Sequence, residues 1–154
     1  MHSVLFVCTA NQCRSPMAEG LLRLQVGLNN PEWRIGSAGT WTSDGLPATN
    51  NAIEVLSELD YDLSDHRSRQ VDQHILASYQ LVLVMERNHK EALKVEFPKL
   101  AGRIFLLSEM IDKNYNIDDP IGGPLVEYQT TANEIEQILK QSFDRIEILS
   151  TELD

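Results

Sequence analysis

The segment Ser3-Val4-Leu5-Phe6-Val7 stands almost at the N-terminus and gives way, after the eight residues Cys8 to Ser15, to Pro16 and a helical pattern. A strand of β-branched and aromatic residues without polar alternation has both faces covered, the condition of a central strand in a parallel sheet. Ser15-Pro16 offers an N-cap hydroxyl followed by proline at the first helical position. Met17, Leu21, Leu22 and Leu24 then recur at helical spacing, which predicts a helix from about Pro16 to Leu28, ended by the breakers Gly27 to Pro31. The same alternation continues along the chain. Strands are predicted at residues 33–38, 81–85 and 103–107, and helices near 52–59, 71–76, 87–97 and 131–149, with Pro98 stopping the fourth helix. The last helix carries Ile135, Ile138, Leu139, Phe143, Ile146 and Leu149 on one side. Strands alternating with helices place the chain in the α/β class, with a parallel sheet and helices on both faces.

At 154 residues and 17.4 kDa the chain is sized for one domain, residues 1–154, and no linker, repeat or low-complexity segment divides it. A formal net charge of −10 repels the phosphate backbone that nucleic-acid binders neutralise, so no nucleic-acid partner is expected. Nine acidic and two basic residues fall between Asp118 and Asp154, a solvated acidic end. The longest apolar runs, such as Leu81 to Met85, fall far short of the roughly 18 residues of a membrane span, and no secretory leader precedes the first strand. A cytoplasmic protein, monomeric or weakly dimeric, is expected. The only cysteines, Cys8 and Cys13, are too close together to close a useful disulfide loop, and this points to chemical use.

That use is suggested by where they stand. The loop Cys8-Thr9-Ala10-Asn11-Gln12-Cys13-Arg14-Ser15 lies at the carboxyl end of the first strand, where parallel α/β sheets bind ligands. A short loop entering a helix aims several backbone N–H groups at one point, and the helix dipole adds positive potential, so the natural guest is an oxyanion. Arg14 brings a planar fork suited to two phosphate oxygens. The same field favours the nucleophilic thiolate of a cysteine placed there. Cys-x5-Arg-Ser thus combines a nucleophile, a backbone cradle running from Thr9 through Ala10, Asn11, Gln12 and Cys13 to Ser15, a bidentate clamp, and a hydroxyl for the leaving thiolate. Asn11 is of a type that tolerates the left-handed backbone such a cradle needs at one position. A leaving oxygen also needs a proton and a later water needs a base. Asp118-Asp119-Pro120 offers a carboxyl group, and the residues alone do not separate the two aspartates.

Val7-Cys8-Thr9-Ala10-Asn11-Gln12-Cys13-Arg14-Ser15-Pro16-Met17-Ala18-Glu19 resembles the N-terminal signature of the low-molecular-weight protein tyrosine phosphatases. Ser37-Ala38-Gly39-Thr40, His66-Arg67-Ser68-Arg69-Gln70, Val84-Met85-Glu86 and Asp119-Pro120 follow in the family's order, so the resemblance covers nearly the whole chain. It implies a flavodoxin-like three-layer sandwich with a four-stranded parallel sheet. It also implies cofactor-free and metal-free hydrolysis of phosphotyrosine in protein substrates through a phosphocysteine, with inhibition by phosphate-like oxyanions. In that resemblance Cys8 is the nucleophile, Asp119 the general acid and base, and Asn11 is held by Ser15, His66 and Ser37. The family's second cysteine, here Cys13, traps an oxidised nucleophile as a disulfide; on its own, Cys13 reads equally as a small buried side chain.

Some positions depart from the tyrosine-specific pattern. Ala10 replaces the commonest Gly, harmless only if φ there is negative. Gln12 faces the pocket where related arginine phosphatases carry Thr, which argues against phosphoarginine. Ile121-Gly122-Gly123 replaces aromatics at one wall of the pocket rim, leaving Trp41 either as the other wall or packed over the loop base. Thiol-dependent arsenate reduction would need cysteines beyond Cys13, and a silent phosphate-binding module would lack the nucleophile or the acid. Asp112 to Gly123 opens like a calcium loop but lacks its glycine and terminal glutamate, and the histidines show no ligand spacing, so no metal is expected.

Overall fold

A computed structural model describes residues 1–153. Four strands, β1 (His2–Cys8), β2 (Trp33–Gly39), β3 (Leu81–Val84) and β4 (Ile104–Leu106), form one sheet in the order β2-β1-β3-β4. All pairings are parallel, with Cys8 opposite Gly39 and Val7 opposite Val84. Around them lie α1 (Arg14–Val26), α2 (Asn50–Ser57), α3 (Gln73–Ala77), α4 (Arg87–Glu96), α5 (Leu125–Gln141) and α6 (Phe143–Ser150).

The period of two along β1 divides the core. Val4 and Phe6 point to the face covered by Met17 and Leu22 of α1, Ala52 and Leu56 of α2, Ile135 and Leu139 of α5, and Ile146 of α6. Leu5 and Val7 point to the opposite face, under Leu76 of α3 and Leu93 of α4. Because both sides of β1 are covered, every residue from Ser3 to Val7 is fully buried, and the unbroken apolar run is explained. Each large side chain so buried contributes about 1.5–3 kcal/mol. The result is a flavodoxin-like three-layer α/β sandwich.

Two differences from expectation bear on the site and the core, the other boundaries shifting by one or two residues. Helix α1 starts at Arg14, two residues early, with Cys13 at the N-cap, and Ser15 lies inside the first turn. Pro16 is tolerated there because the first N–H groups of a helix have no intrahelical acceptor, and the Ser15 hydroxyl is taken by other partners described below. The long C-terminal helix is instead two. Helix α5 begins at Leu125, directly after Pro124, because Tyr128, Thr131, Ala132 and Ile135 form one buried stripe whose hydroxyl residues mask it in the sequence. It ends where the Ser142 hydroxyl donates to the Ile138 carbonyl at 2.6 Å, and α6 follows.

Edge strand β2 has outward carbonyls covered by arginine side chains. Arg23 donates to the Ile35 carbonyl and Arg69 to that of Ser37 at 2.9 Å, which blunts the edge against pairing with another chain. No helix among the described residues is long and apolar enough to cross a membrane.

At the carboxyl end of the sheet, β2 closes on the loop that follows β1. The Trp41 N–H donates to the Thr9 carbonyl at 3.0 Å and the Thr40 N–H to the Cys8 carbonyl at 2.9 Å. A side chain at Gly39 would put its Cβ 2.7 Å from the Thr9 carbonyl oxygen and 3.2 Å from the Ala10 carbonyl carbon. Both neighbours are backbone, so neither can rotate away. Gly39→Ala is therefore expected to lose about 1–3 kcal/mol in urea denaturation. An unchanged midpoint would contradict this close approach.

Candidate active site

The loop between β1 and α1 turns on Asn11, a fully buried residue with φ of 57°, in the left-handed region. Asparagine enters that region at lower cost than most residues because its side chain bonds locally. Here it bonds on every side. The Arg69 N–H donates to Asn11 Oδ1 at 3.0 Å, Asn11 Nδ2 donates to Ser15 Oγ at 2.9 Å, and the His66 Nε2–H donates to the Asn11 carbonyl at 2.7 Å. Ala10 is outside the left-handed region, so the missing glycine there imposes no backbone strain.

The Ser15 hydroxyl has one hydrogen. Its oxygen accepts from Asn11 and lies 2.9 Å from Cys8 Sγ, and when that sulfur is a thiolate, which can only accept, the hydrogen goes to it. A relay thus runs from the Arg69 backbone through Asn11 and Ser15 to the sulfur of Cys8, which is 2% exposed.

Arg14, at the first position of α1, is 1% exposed. Its Nη1 donates to Glu86 Oε2 and to the Ile117 carbonyl, each at 2.7 Å, and its Nη2 lies 3.4 Å from Asp119 Oδ2. Burial opposes its charge, but Cys8, Glu86 and Asp119 outweigh burial and raise its pKa above the ordinary value. Its Nε is buried with no protein partner. The terminal nitrogens are thus fixed by protein acceptors, and the Nε edge is left for an oxyanion.

Asp119 is partly exposed and reaches this cluster. Its Oδ1 accepts from the Ile121 N–H at 3.0 Å and from Cys13 Sγ at 3.3 Å. Asp118 instead lies beside α5, where burial first and the Asp118 charge second raise the pKa of Glu134. The fold thus separates two aspartates that adjacency in sequence does not. Cys13 is buried and free, as is Cys8, and its thiol pKa is pushed well up by burial and then by the charges of Cys8 and Asp119. It sits as a protonated donor to Asp119.

The structure joins Ser15 and His66 to Asn11 but not Ser37. The Ser37 hydroxyl donates to Glu19 Oε1 at 2.7 Å, and only its carbonyl is linked to the relay, through the Arg69 side chain. Arg69 occupies the place that the sequence resemblance gives to Ser37, because its backbone N–H runs past the end of β2. Trp41 is 84% exposed and so is not packed over the loop base. Ile121 is also exposed, and the Gln12 amide is tied to the Pro47 carbonyl at 3.0 Å. Sequence reasoning missed the roles of Glu86, Arg69 and His89, whose Nε2 lies 2.9 Å from Thr9 Oγ1. All three reach the loop across long sequence separations, and no local spacing marks them. Among the described residues no three His, Cys, Asp or Glu side chains gather as metal ligands do.

The low molecular weight phosphotyrosine protein phosphatase model matches residues 3–151. A protein-arginine-phosphatase of Bacillus subtilis is 34% identical over 139 residues, 90% of this chain and 92% of that protein. A probable low molecular weight protein-tyrosine-phosphatase, EpsP, of Ralstonia solanacearum is 32% identical over 149 residues, 97% of this chain and 99% of its own. The crystal structure of a low molecular weight protein tyrosine phosphatase from T. tengcongensis superposes with a TM-score of 0.88 at 37% identity, covering 94% of this chain and 99% of the other. The buried arginine beside a cysteine loop therefore has a lineage, and the chain belongs to the low molecular weight phosphotyrosine protein phosphatase family.

Proposed function

We propose that the chain, acting as one unit over residues 1–154, hydrolyses phosphotyrosine in protein substrates through a phosphocysteine at Cys8. The observation that carries this reading is the meeting, in one loop, of a buried sulfur 2.9 Å from a hydroxyl donor and a buried arginine with an unengaged Nε. The backbone of Thr9 to Ser15 and the Arg14 fork hold the phosphate oxygens. Cys8 attacks phosphorus, the S–P bond forms as the bond to the leaving oxygen breaks, and the Asp119 carboxyl gives that oxygen its proton. Water then attacks the phosphocysteine and gives its proton to Asp119. The S–P bond breaks, and the Ser15 hydroxyl stabilises the thiolate that departs.

Phosphotyrosine is favoured over phosphoarginine by the rim. Trp41 offers an exposed ring on the loop fastened to Thr9, and the Gln12 amide is held at the Pro47 carbonyl. The Bacillus subtilis relative makes phosphoarginine the competing substrate. Arsenate reduction lacks a cysteine to relay a disulfide beyond Cys13. Two free thiols suit a reducing compartment, in keeping with a cytoplasmic enzyme.

Reduced protein is expected to hydrolyse para-nitrophenyl phosphate at mildly acidic pH without added metal, with competitive inhibition by vanadate. Cys8→Ser is expected to abolish turnover; turnover that survives this change would overturn the cysteine mechanism. In steady-state kinetics Asp119→Asn should lower kcat by about 10²- to 10⁴-fold, whereas Asp118→Asn leaves it near wild type. Equal loss from both would remove the assignment of the acid. With matched phosphotyrosine and phosphoarginine peptides, a higher kcat/KM is expected for phosphotyrosine, and the reverse order would move the substrate to phosphoarginine.

A further inference from the structure

Among the described residues only two buried side-chain polar atoms lack a hydrogen-bond partner, Arg14 Nε and His89 Nδ1. The first belongs to the oxyanion site. The second belongs to a histidine that is 3% exposed, in the first turn of α4, and plays no part in the reaction described above. A leucine would fill the same space without burying an unpaired nitrogen, so the value of a histidine there has to lie in its other nitrogen. That nitrogen, Nε2, lies 2.9 Å from Thr9 Oγ1 and 3.7 Å from Glu86 Oε2, the oxygen that also receives Arg14 Nη1 at 2.7 Å.

We propose that His89 is a positioning residue for oxyanion binding, holding Thr9, the residue next to Cys8, and standing beside the Glu86 carboxylate that aligns Arg14. The inference rests on the phosphatase reading for its substrate and not for its geometry. Thr9 is gripped from two directions. Its carbonyl accepts from Trp41 on one side, and its hydroxyl meets His89 on the other. The Thr9 N–H belongs to the backbone cradle, and amides that converge on an anion work only if they are held before it arrives.

The surroundings keep the imidazole neutral. Burial lowers its pKa first and Arg14 adds to this, while Glu86 and Asp119 act in the opposite sense. The positive end of α4 also disfavours a charged ring. The other cations of that turn are engaged elsewhere, Arg87 with the Asn114 carbonyl and Lys90 with Glu109. A neutral ring has one hydrogen. Placing it on Nδ1 would bury an unpaired donor, so it belongs on Nε2, which donates to Thr9 Oγ1. As pH falls through the depressed pKa the ring gains a charge and is drawn toward Glu86. It then competes with Arg14 and loosens Thr9, and oxyanion affinity falls on the acid side.

Two substitutions separate positioning from packing. His89→Leu removes the donor and also the unpaired nitrogen, so its urea midpoint should match or exceed that of wild type. Its Kd for inorganic phosphate and its KM for para-nitrophenyl phosphate should both rise by about 3- to 10-fold with kcat little changed. His89→Gln restores a donor at the Nε2 position without titrating. It should bring Kd back to within about twofold of wild type and abolish the acid-side loss of phosphate affinity. Thr9→Val combined with His89→Leu should be no weaker than the poorer single variant, since both remove one interaction. The proposal is overturned if His89→Leu binds phosphate as wild type does, if His89→Gln is as weak as His89→Leu, or if the two losses add. Direct phosphate binding is measured by calorimetry, apart from turnover. A wild type that binds phosphate with these responses but hydrolyses nothing would sink the phosphatase reading and leave this one standing.

Discussion

A guanidinium buried in a protein of net charge −10 is the constraint around which the site is organised. An isolated charge in the interior is costly, and Arg14 is tolerated because its terminal nitrogens meet Glu86, the Ile117 carbonyl and Asp119. Those partners come from three places: the turn after β3, the segment leading to Asp119, and the Asp-Pro loop itself. Arg14 therefore does more than await an anion. It fastens the loops at the carboxyl end of the sheet to the start of α1, and so the loop carrying Asp119 is held close to the sulfur of Cys8.

The second fixed point is Asn11. Its left-handed backbone bends the loop, and three hydrogen bonds keep it there. Through Ser15 the same residue places a hydroxyl beside Cys8, so the bend of the chain and this contact to the nucleophile share a single side chain. Sheet register does the rest. Cys8 pairs with Gly39, whose lack of a side chain lets Thr9 and Ala10 pass over the end of β2. These are static, preformed contacts, which suits chemistry in which charge is stabilised by groups already in place.

What could be read in the sequence was what is local. The strand, the cysteine, the asparagine, the arginine and the serine all lie within the first sixteen residues, and a parallel α/β fold gives that stretch a known place at the carboxyl end of a strand. The Asp-Pro pair was legible as a candidate acid, but which aspartate faces Arg14 depends on how the loop docks. Ser15 misled as a cap because cap preference and the demand of Cys8 for a donor use the same hydroxyl, and the second won. Helix α5 began earlier than expected because Tyr128 and Thr131 bury their aliphatic and aromatic parts while looking polar in the sequence. Glu86, Arg69 and His89 were invisible as site residues for a different reason. Each acts on a partner far away in the chain, and one sequence does not show such pairs.

The central claim is that the buried cysteine in this anion-binding loop carries the phosphoryl group. The most direct measurement mixes the Asp119→Asn variant with para-nitrophenyl phosphate, quenches the mixture in denaturant, and locates any added phosphoryl group by peptide mass spectrometry. The account predicts one phosphoryl group on the peptide containing Cys8, absent from the same experiment with Cys8→Ala. A phosphoryl group on another residue, or turnover with no phosphorylated enzyme at any quench time, would contradict it.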